Sequence, residues 1–373
     1  MKTLLKHQHV EAEVRQLIRS LPVGAKLPAE RELASMYGCN FLTVRRALKQ
    51  LTDDGWIARR RGSGTFVARN AEATRPGTGP VGVLVYKEGN AYASRLLQAI
   101  AEAGGSADLE IRSGWVRDLA GDALAQALRF QQEGCTALTL PWFPHEQSEE
   151  VRALVGRSPL PISLALLIPG LERYCYIKPE LFEASTTGAV EEICRYFQAL
   201  GETHIAYLGP DSPHDAVLQY RLAAYHHFTA RENLPRLCGL AGPGAPAMDE
   251  LAERWREFRG RLAVVAYDDE HALRFMTAMH KLGLGAPEDY RIVGYNDTEA
   301  SRFSDPPLST IHQDFDFIAH GLLQSALGLA GPQPRQCDRT PRPMLLVRST
   351  CGGAGRVDEA LRTHLPEIDL AAE

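Results

Sequence analysis

Arginines carry the clearest chemistry in this chain. Arg45, Arg46 and Lys49 recur within Phe41-Leu42-Thr43-Val44-Arg45-Arg46-Ala47-Leu48-Lys49, and a run of three, Arg59-Arg60-Arg61, leads into Gly62-Ser63-Gly64. A guanidinium donates paired hydrogen bonds to planar anions and to base edges, so cations at this density point to phosphate. Other chemistries lack their residues. No Ser/His/Asp motif, no H-E-x-x-H and no P-loop is present, and no G-x-G-x-x-G follows the first long apolar run, Val81-Gly82-Val83-Leu84-Val85-Tyr86-Lys87-Glu88. Gly62-Ser63-Gly64 is not followed by the Lys-Ser/Thr and long helix that a phosphate-cradling loop needs. The seven cysteines are odd in number and never spaced C-x-x-C, which argues for reduced thiols in a cytosolic setting and against a zinc site or disulfide framework. His7 and His9, two apart on an expected helix, point in different directions. No catalytic residue, cofactor or metal site is expected.

The elements that must hold these cations can be read locally. Residues 1–70 hold 13 Lys+Arg against 6 Asp+Glu, a net of +7, whereas the remainder holds 28 against 40, a net of −12, within an overall charge of −5. A small basic head on an acidic body is the asymmetry expected where only the head meets phosphates. Val10, Val14, Leu17, Ile18 and Leu21 have helical spacing; Ala29–Ala34 reads as a second short helix stopped by Gly38. Asn40 suits the N-cap of a third helix reaching about Asp54, with Val44, Ala47, Leu48 and Leu51 on one face and Leu42, Arg45, Arg46 and Lys49 opposite. Helix, tight turn and basic helix is the helix-turn-helix pattern, whose second helix enters the DNA major groove. Trp56-Ile57-Ala58 and Thr65-Phe66-Val67 then read as strands flanking a basic tip, a wing suited to the minor groove, which makes the head an α+β winged helix. The triple arginine suits a clamp on phosphate rather than a base reader.

On these residues the head resembles the GntR family of DNA-binding domains. The matching stretches are Gly24–Ala34, Thr43–Leu48, Gly55-Trp56-Ile57 and Gly62–Val67. The resemblance implies that Arg31, Thr43, Arg45 and the wing glycines around Gly64 touch DNA; Asn40, Arg46, Arg60 and Arg61 join them as candidates. Where that family has Ser-Arg or Thr-Arg, this chain has Asn40-Phe41, losing one expected arginine contact. Phe41 either packs inward or meets a thymine methyl.

Residues 71–80, with two prolines, two glycines and no large apolar residue, read as a linker. Beyond it β-runs and helices alternate: strands at 81–86, 109–112, 137–140, 205–208, 262–266 and 292–294, and helices at 92–103, 120–132, 216–230 and 272–282. This pitch predicts an α/β body with parallel sheets, and a span of 81–351 is too long for one simple open sheet, so two lobes are expected. The tail, 352–373, is Gly-rich and then weakly helical. No signal peptide or membrane-length apolar run is seen, so a cytoplasmic setting is expected.

The body resembles the effector domain of LacI/GalR repressors, itself similar to periplasmic sugar-binding proteins. The resemblance rests on Ala266-Tyr267-Asp268-Asp269-Glu270-His271-Ala272, on 286–297 ending Gly294-Tyr295-Asn296-Asp297, and on 306–315, Pro306-Pro307-Leu308-Ser309-Thr310-Ile311-His312-Gln313-Asp314-Phe315. It is strong over 184–351 and weak over 81–180; joined to a GntR head, it is similar to the arrangement of arabinose repressors. It implies a ligand between the lobes, with Arg221, Asp268, Asn296 and Gln313 bonding to its oxygens. Where relatives have Asn-Asp and Asp-Asp, this chain has Asp268-Asp269 and Asn296-Asp297, which moves the carboxylate and suggests a different ligand. Asp269 and Asp297 either join the site or merely close turns. In the first lobe Trp142 either stacks on a sugar face or plugs a lobe edge or a dimer contact; Tyr86 and Tyr92, which flank the first strand-helix turn, are further candidates. The resulting expectation is a homodimeric repressor that holds double-stranded operator DNA and is controlled by a small-molecule effector, a sugar, with no membrane partner. The competing expectation is a cytosolic sugar-binding protein or enzyme with an accessory DNA-binding head.

Overall fold

Apolar residues three and four apart build the first unit. The structure is a computed structural model and describes residues 10, 14, 17, 24–53, 57–60, 64–67, 79–87, 89–213, 215–241, 247–330, 336–341, 344–353 and 369–372. Helices α1 (Glu30–Met36) and α2 (Phe41–Asp53) meet over Leu33, Val44, Ala47, Leu48 and Leu51, with Val10, Val14, Leu27, Ile57 and Val67 completing the core. Strands β1 (Ile57–Arg60) and β2 (Gly64–Val67) pair antiparallel, and residues 24–27 run beside β2 through bonds such as Leu27 N–H to the Thr65 carbonyl, 2.9 Å. The expected winged helix is therefore present. Asn40 caps α2: its Oδ1 accepts from the Thr43 N–H and hydroxyl, each at 2.8 Å. Substituting Asn40→Ala is expected to cost about 1 kcal/mol of head stability by orphaning that N–H, read as a lower first transition on thermal unfolding.

The body begins where Pro80 accepts from the Thr136 N–H at 2.9 Å, so of the expected linker only Gly79 and Pro80 fall among the described residues. One lobe is a parallel four-stranded sheet, ordered β4 (Ile111–Val116), β3 (Val81–Tyr86), β5 (Ala137–Leu140), β6 (Ile162–Leu164). It carries α3 (Ala91–Ser106), α4 (Asp122–Gln132) and α5 (Ser148–Arg157). The other lobe is a seven-stranded sheet. Its order is β13 (Asp369–Ala372), β12 (Met344–Val347), β11 (Ser309–His312), β10 (Arg291–Tyr295), β9 (Leu262–Ala266), β7 (His204–Pro210), β8 (Leu237–Ala241). Among its described pairs only β11/β12 is antiparallel. Helices α6 (Pro179–Ala199), α7 (Ala216–Arg231), α8 (Met248–Trp255), α9 (Asp269–Lys281) and α10 (Glu299–Phe303) accompany it. Among the described residues, no helix is long and apolar enough to cross a membrane.

Three features depart from the sequence reading. Helix α11 (Phe315–Ala330), though late in the chain, returns to the first lobe, where Ile318, Leu322 and Ala326 share a core with Val81, Val83, Leu96 and Ile100. The first lobe is thus discontinuous, and the chain crosses between lobes after β6, after β11 and again after α11. Gln336 reinforces the first crossing, donating to the carbonyls of Glu172 (2.7 Å) and Cys175 (2.9 Å). Strand β4 lies at 111–116 rather than 109–112, because Asp108 turns the chain at φ 52° and an edge strand alternates exposure, Trp115 outward and Val116 inward. The tail does not stay helical: residues 369–372 add a parallel edge strand to β12.

Candidate functional site

The head presents one helix face that, among the described residues, stands exposed. With Val44, Ala47 and Leu48 buried, α2 turns Leu42, Arg45, Arg46 and Lys49 outward; Leu42 is 71% and Phe41 41% exposed, so Phe41 does not pack inward. Arg31 is exposed on the first turn of α1. Asn40 and Thr43 are bound to each other in the cap, which leaves the Asn40 amide nitrogen and the Thr43 lone pairs for other partners. Gly64 sits at φ 117°, where a side chain is strained, and a methyl there would press on the Lys26 stem. Arg59 pairs with Glu30 at 2.8 Å, tying the wing to α1 while its side chain stays exposed. The Arg60 side chain and Arg61 lie outside the described residues.

Between the lobes is a cleft to which both contribute: Tyr92 and Trp142 from the first, Arg221, Asp268, Asn296 and Gln313 from the second and its exit. Six of the seven sequence candidates thus come together, Tyr86 being the exception. Arg221 rises from α7 and is 5% exposed, its guanidinium 3.5 Å from the Tyr295 ring centroid and 5.0 Å from that of Tyr267. One Nη donates to the Tyr267 carbonyl, and Nε finds no hydrogen-bond partner among the described residues. A buried cation with a donor left over is poised for an acceptor entering the cleft.

Asp268 follows β9 and caps α9; its Oδ1 accepts from His271, backbone (2.8 Å) and ring (2.7 Å). Burial alone would raise this carboxyl, but His271 outweighs it and holds it below the ordinary value. Asn296 follows β10 at φ 101°, a backbone that Asn tolerates better than most residues. Its Oδ1 accepts from Gln313 Nε2 at 2.6 Å, joining the turns after β10 and β11. The neighbours of these two face away from the cleft. Asp269 is buried under donors from Thr298 (N–H 2.7 Å, hydroxyl 2.9 Å) and Thr310 (2.6 Å), and burial still pushes its carboxyl up to about 6. Asp297 bonds Arg348 at 2.7 Å and His312 at 2.9 Å; burial opposes ionisation, yet these partners keep the carboxyl low. Asp269 and Asp297 therefore brace the turns that present Asp268 and Asn296. The bracing is tight: a methyl on Gly294 would collide with the Asp269 carboxylate. Gly294→Ala is expected to lower stability by about 1–3 kcal/mol through overpacking, measured as a shifted urea midpoint.

Tyr86 does not line this cleft, which corrects the sequence expectation. Along β3, Val81, Val83 and Val85 face the α11 side, while Leu84 and Tyr86 face the opposite core. There Tyr86 packs edge-on to Trp142, ring centroids 5.9 Å apart, and its hydroxyl accepts from Gln147 at 2.7 Å. It supports Trp142 from behind. Sequence reasoning missed His145, Tyr176, Phe182 and His312, which also line the cleft; the first three sit in no local motif, whereas His312 stands beside Gln313 in the stretch that carries the resemblance. Asn90, another lining residue, does have a signal, since it caps α3 through the Ala93 N–H at 3.0 Å.

Comparison with known proteins agrees with this division. Residues 6–67 match the gntR family of bacterial regulatory proteins, and residues 194–351 match a periplasmic binding protein-like domain. The chain is 28% identical over 193 residues to the HTH-type transcriptional regulator GalR of Salmonella typhimurium, a span of 50% of this chain and 53% of that protein. It is 33% identical over 155 residues to the lactose operon repressor of Escherichia coli, covering 41% and 42%. Its head is 44% identical over 66 residues to the HTH-type transcriptional repressor PhnF of Mycolicibacterium smegmatis, covering 18% and 27%. The chain thus spans about half the length of the GalR relatives it matches. In fold it is similar to the lac repressor dimer bound to operator and the anti-inducer ONPF, with a TM-score of 0.57 and 21% identity, covering 74% of this chain and 94% of that one. One chain therefore joins a bacterial regulatory domain of the gntR family to a periplasmic binding protein-like domain of the kind found in the GalR and lactose repressors.

Proposed function

We propose that the chain is a cytoplasmic transcriptional repressor that binds operator DNA as a homodimer and is controlled by a small polar ligand, a sugar, held between its lobes. The observation that carries this reading is the coexistence of an exposed cationic helix face on the head and a buried cation, Arg221, with a spare donor in the cleft of the body. On the DNA side, α2 enters the major groove with Arg45 and Arg46, while Arg31, Asn40, Thr43 and the wing at Gly64, Arg60 and Arg61 contact the backbone and flanking groove. Two copies place two such helices in successive major-groove turns of a palindrome. On the ligand side, Arg221, Asp268, Asn296 and Gln313 bind hydroxyls, and Trp142 and Tyr92 cover the apolar faces of the ring.

A ligand touching both lobes stabilises one lobe angle over another. It changes operator affinity only by its difference in binding free energy between the two states, typically about 1–3 kcal/mol. Footprinting on DNA upstream of the protein's own gene tests the reading. A roughly palindromic protected site, altered by one sugar of a pentose and hexose panel, is expected; no protection at low salt would sink it.

A further inference from the structure

The two lobes also touch each other directly, through groups other than those assigned to the ligand, although one of them, His145, lines the same cleft. His145 opens the turn after β5 in the first lobe, and its Nε2 lies 3.2 Å from Oδ1 of Asp215, which begins α7 in the second. Beside it the Ser212 hydroxyl of the second lobe donates to Glu146 of the first at 3.0 Å. Both sides are held by their own lobes before they meet. The His145 carbonyl accepts from Ser148 at 2.6 Å, and its ring lies 6.1 Å from that of the fully buried Phe143. Asp215 is 3% exposed; it accepts from the Leu218 N–H at 2.9 Å and from the Tyr267 hydroxyl at 2.6 Å.

We propose that His145–Asp215, with Glu146–Ser212 beside it, is a latch across the lobes that sets how far the cleft is closed before any ligand enters. The contact is nearly dry, with side-chain exposures of 13% and 4%. If the lobes parted, Asp215 would keep both of its hydrogen-bond donors and lose only the imidazole beside it, and His145 would lose its carboxylate. Closure is thereby favoured by one close imidazole–carboxylate contact, whose electrostatic part is stronger where water is excluded. The latch also reaches the cleft. Asp215 and Arg221 lie on the same helix, and Tyr267 bonds the first through its hydroxyl and the second through its carbonyl. The latch is therefore tied to the buried cation through Asp215 and Tyr267. The inference rests on the two-lobed architecture and needs neither an identified ligand nor an operator.

Amide hydrogen exchange on the full-length, ligand-free protein tests it. His145→Gln in the first lobe is expected to speed exchange at 209–218 in the second, and Ser212→Ala in the second to speed exchange at 141–147 in the first. For His145→Gln the increase is on the order of ten-fold, the factor such a bond carries. Asp215→Asn keeps the acceptor for Leu218 and removes the charge, so the His145→Gln/Asp215→Asn double variant should exchange no faster than the more affected single. Changes confined to the mutated lobe, or effects of the two singles that add in full, would overturn the latch. Because neither sugar nor DNA is present, such a failure leaves the repressor reading standing.

Discussion

Arg221→Ala is expected to abolish binding of any sugar by the cleft while leaving operator binding intact. The side chain is 95% buried in the sense that only 5% of its surface is exposed, it donates to the Tyr267 carbonyl, and it stacks on Tyr295 at 3.5 Å. Truncation removes the donor that the ligand meets and leaves the facing acceptors without a partner. Losing one side of a buried, charge-assisted contact costs about 2–5 kcal/mol, which is roughly thirty-fold to several thousand-fold in affinity. Thermal-shift screening against pentoses, hexoses, their oligomers and nucleosides supplies the measurement: a sugar that raises the melting temperature of the parent should leave the variant unmoved. Arg221→Lys is the informative companion. It keeps the charge but not the planar fork, so it should fail nearly as badly if paired hydrogen bonds matter, and should recover much of the shift if charge alone matters. Retained operator binding shows that both variants fold, and an unchanged shift in Arg221→Ala refutes the cleft assignment.

The head was legible from sequence because every determinant of it is local. Asn40 caps the helix that begins one residue later, Val44 to Leu51 repeat at helical spacing, and Gly38 and Gly64 stand where the backbone takes positive φ. The second lobe's site was legible for a different reason: Asp268, Asn296 and Gln313 each follow a strand, where parallel α/β sheets present their ligand groups. The first lobe's contribution was not. Tyr86 stands at the end of a strand, near where such groups gather, but β3 is buried on both faces, so no alternation of polar and apolar residues told which face it joins. The return of α11 to the first lobe and the addition of residues 369–372 to the second are choices of partner far along the chain. Helical periodicity shows that α11 has an apolar face, not which sheet it covers. The same distance hid His145: its partner Asp215 is seventy residues away on another lobe, and neither residue has a motif.

Arg45→Ala combined with Arg46→Ala is expected to eliminate specific operator binding while leaving the fold and any sugar-induced thermal shift unchanged. Both side chains are exposed on α2, opposite the buried Val44, Ala47, Leu48 and Leu51, so their removal opens no cavity. Exposed substitutions of this kind usually change stability by no more than about 0.5 kcal/mol. An arginine reading a base is worth about 1–3 kcal/mol and relaxes specificity at one position. An arginine on phosphate instead weakens all sequences alike and lowers the salt slope by about 1. The single variants separate these roles in a gel-shift titration at two salt concentrations, with operator and scrambled DNA side by side. The two arginines lie about 100° apart around the helix, so one is expected to read a base and the other to hold the backbone. Asn40-Phe41 sharpens this expectation. With no arginine at the helix start and Phe41 exposed there, the base-reading burden falls on the next exposed cations along the same face, which are Arg45 and Arg46. Unaltered operator affinity in the double variant would mean that α2 is not the element in the groove.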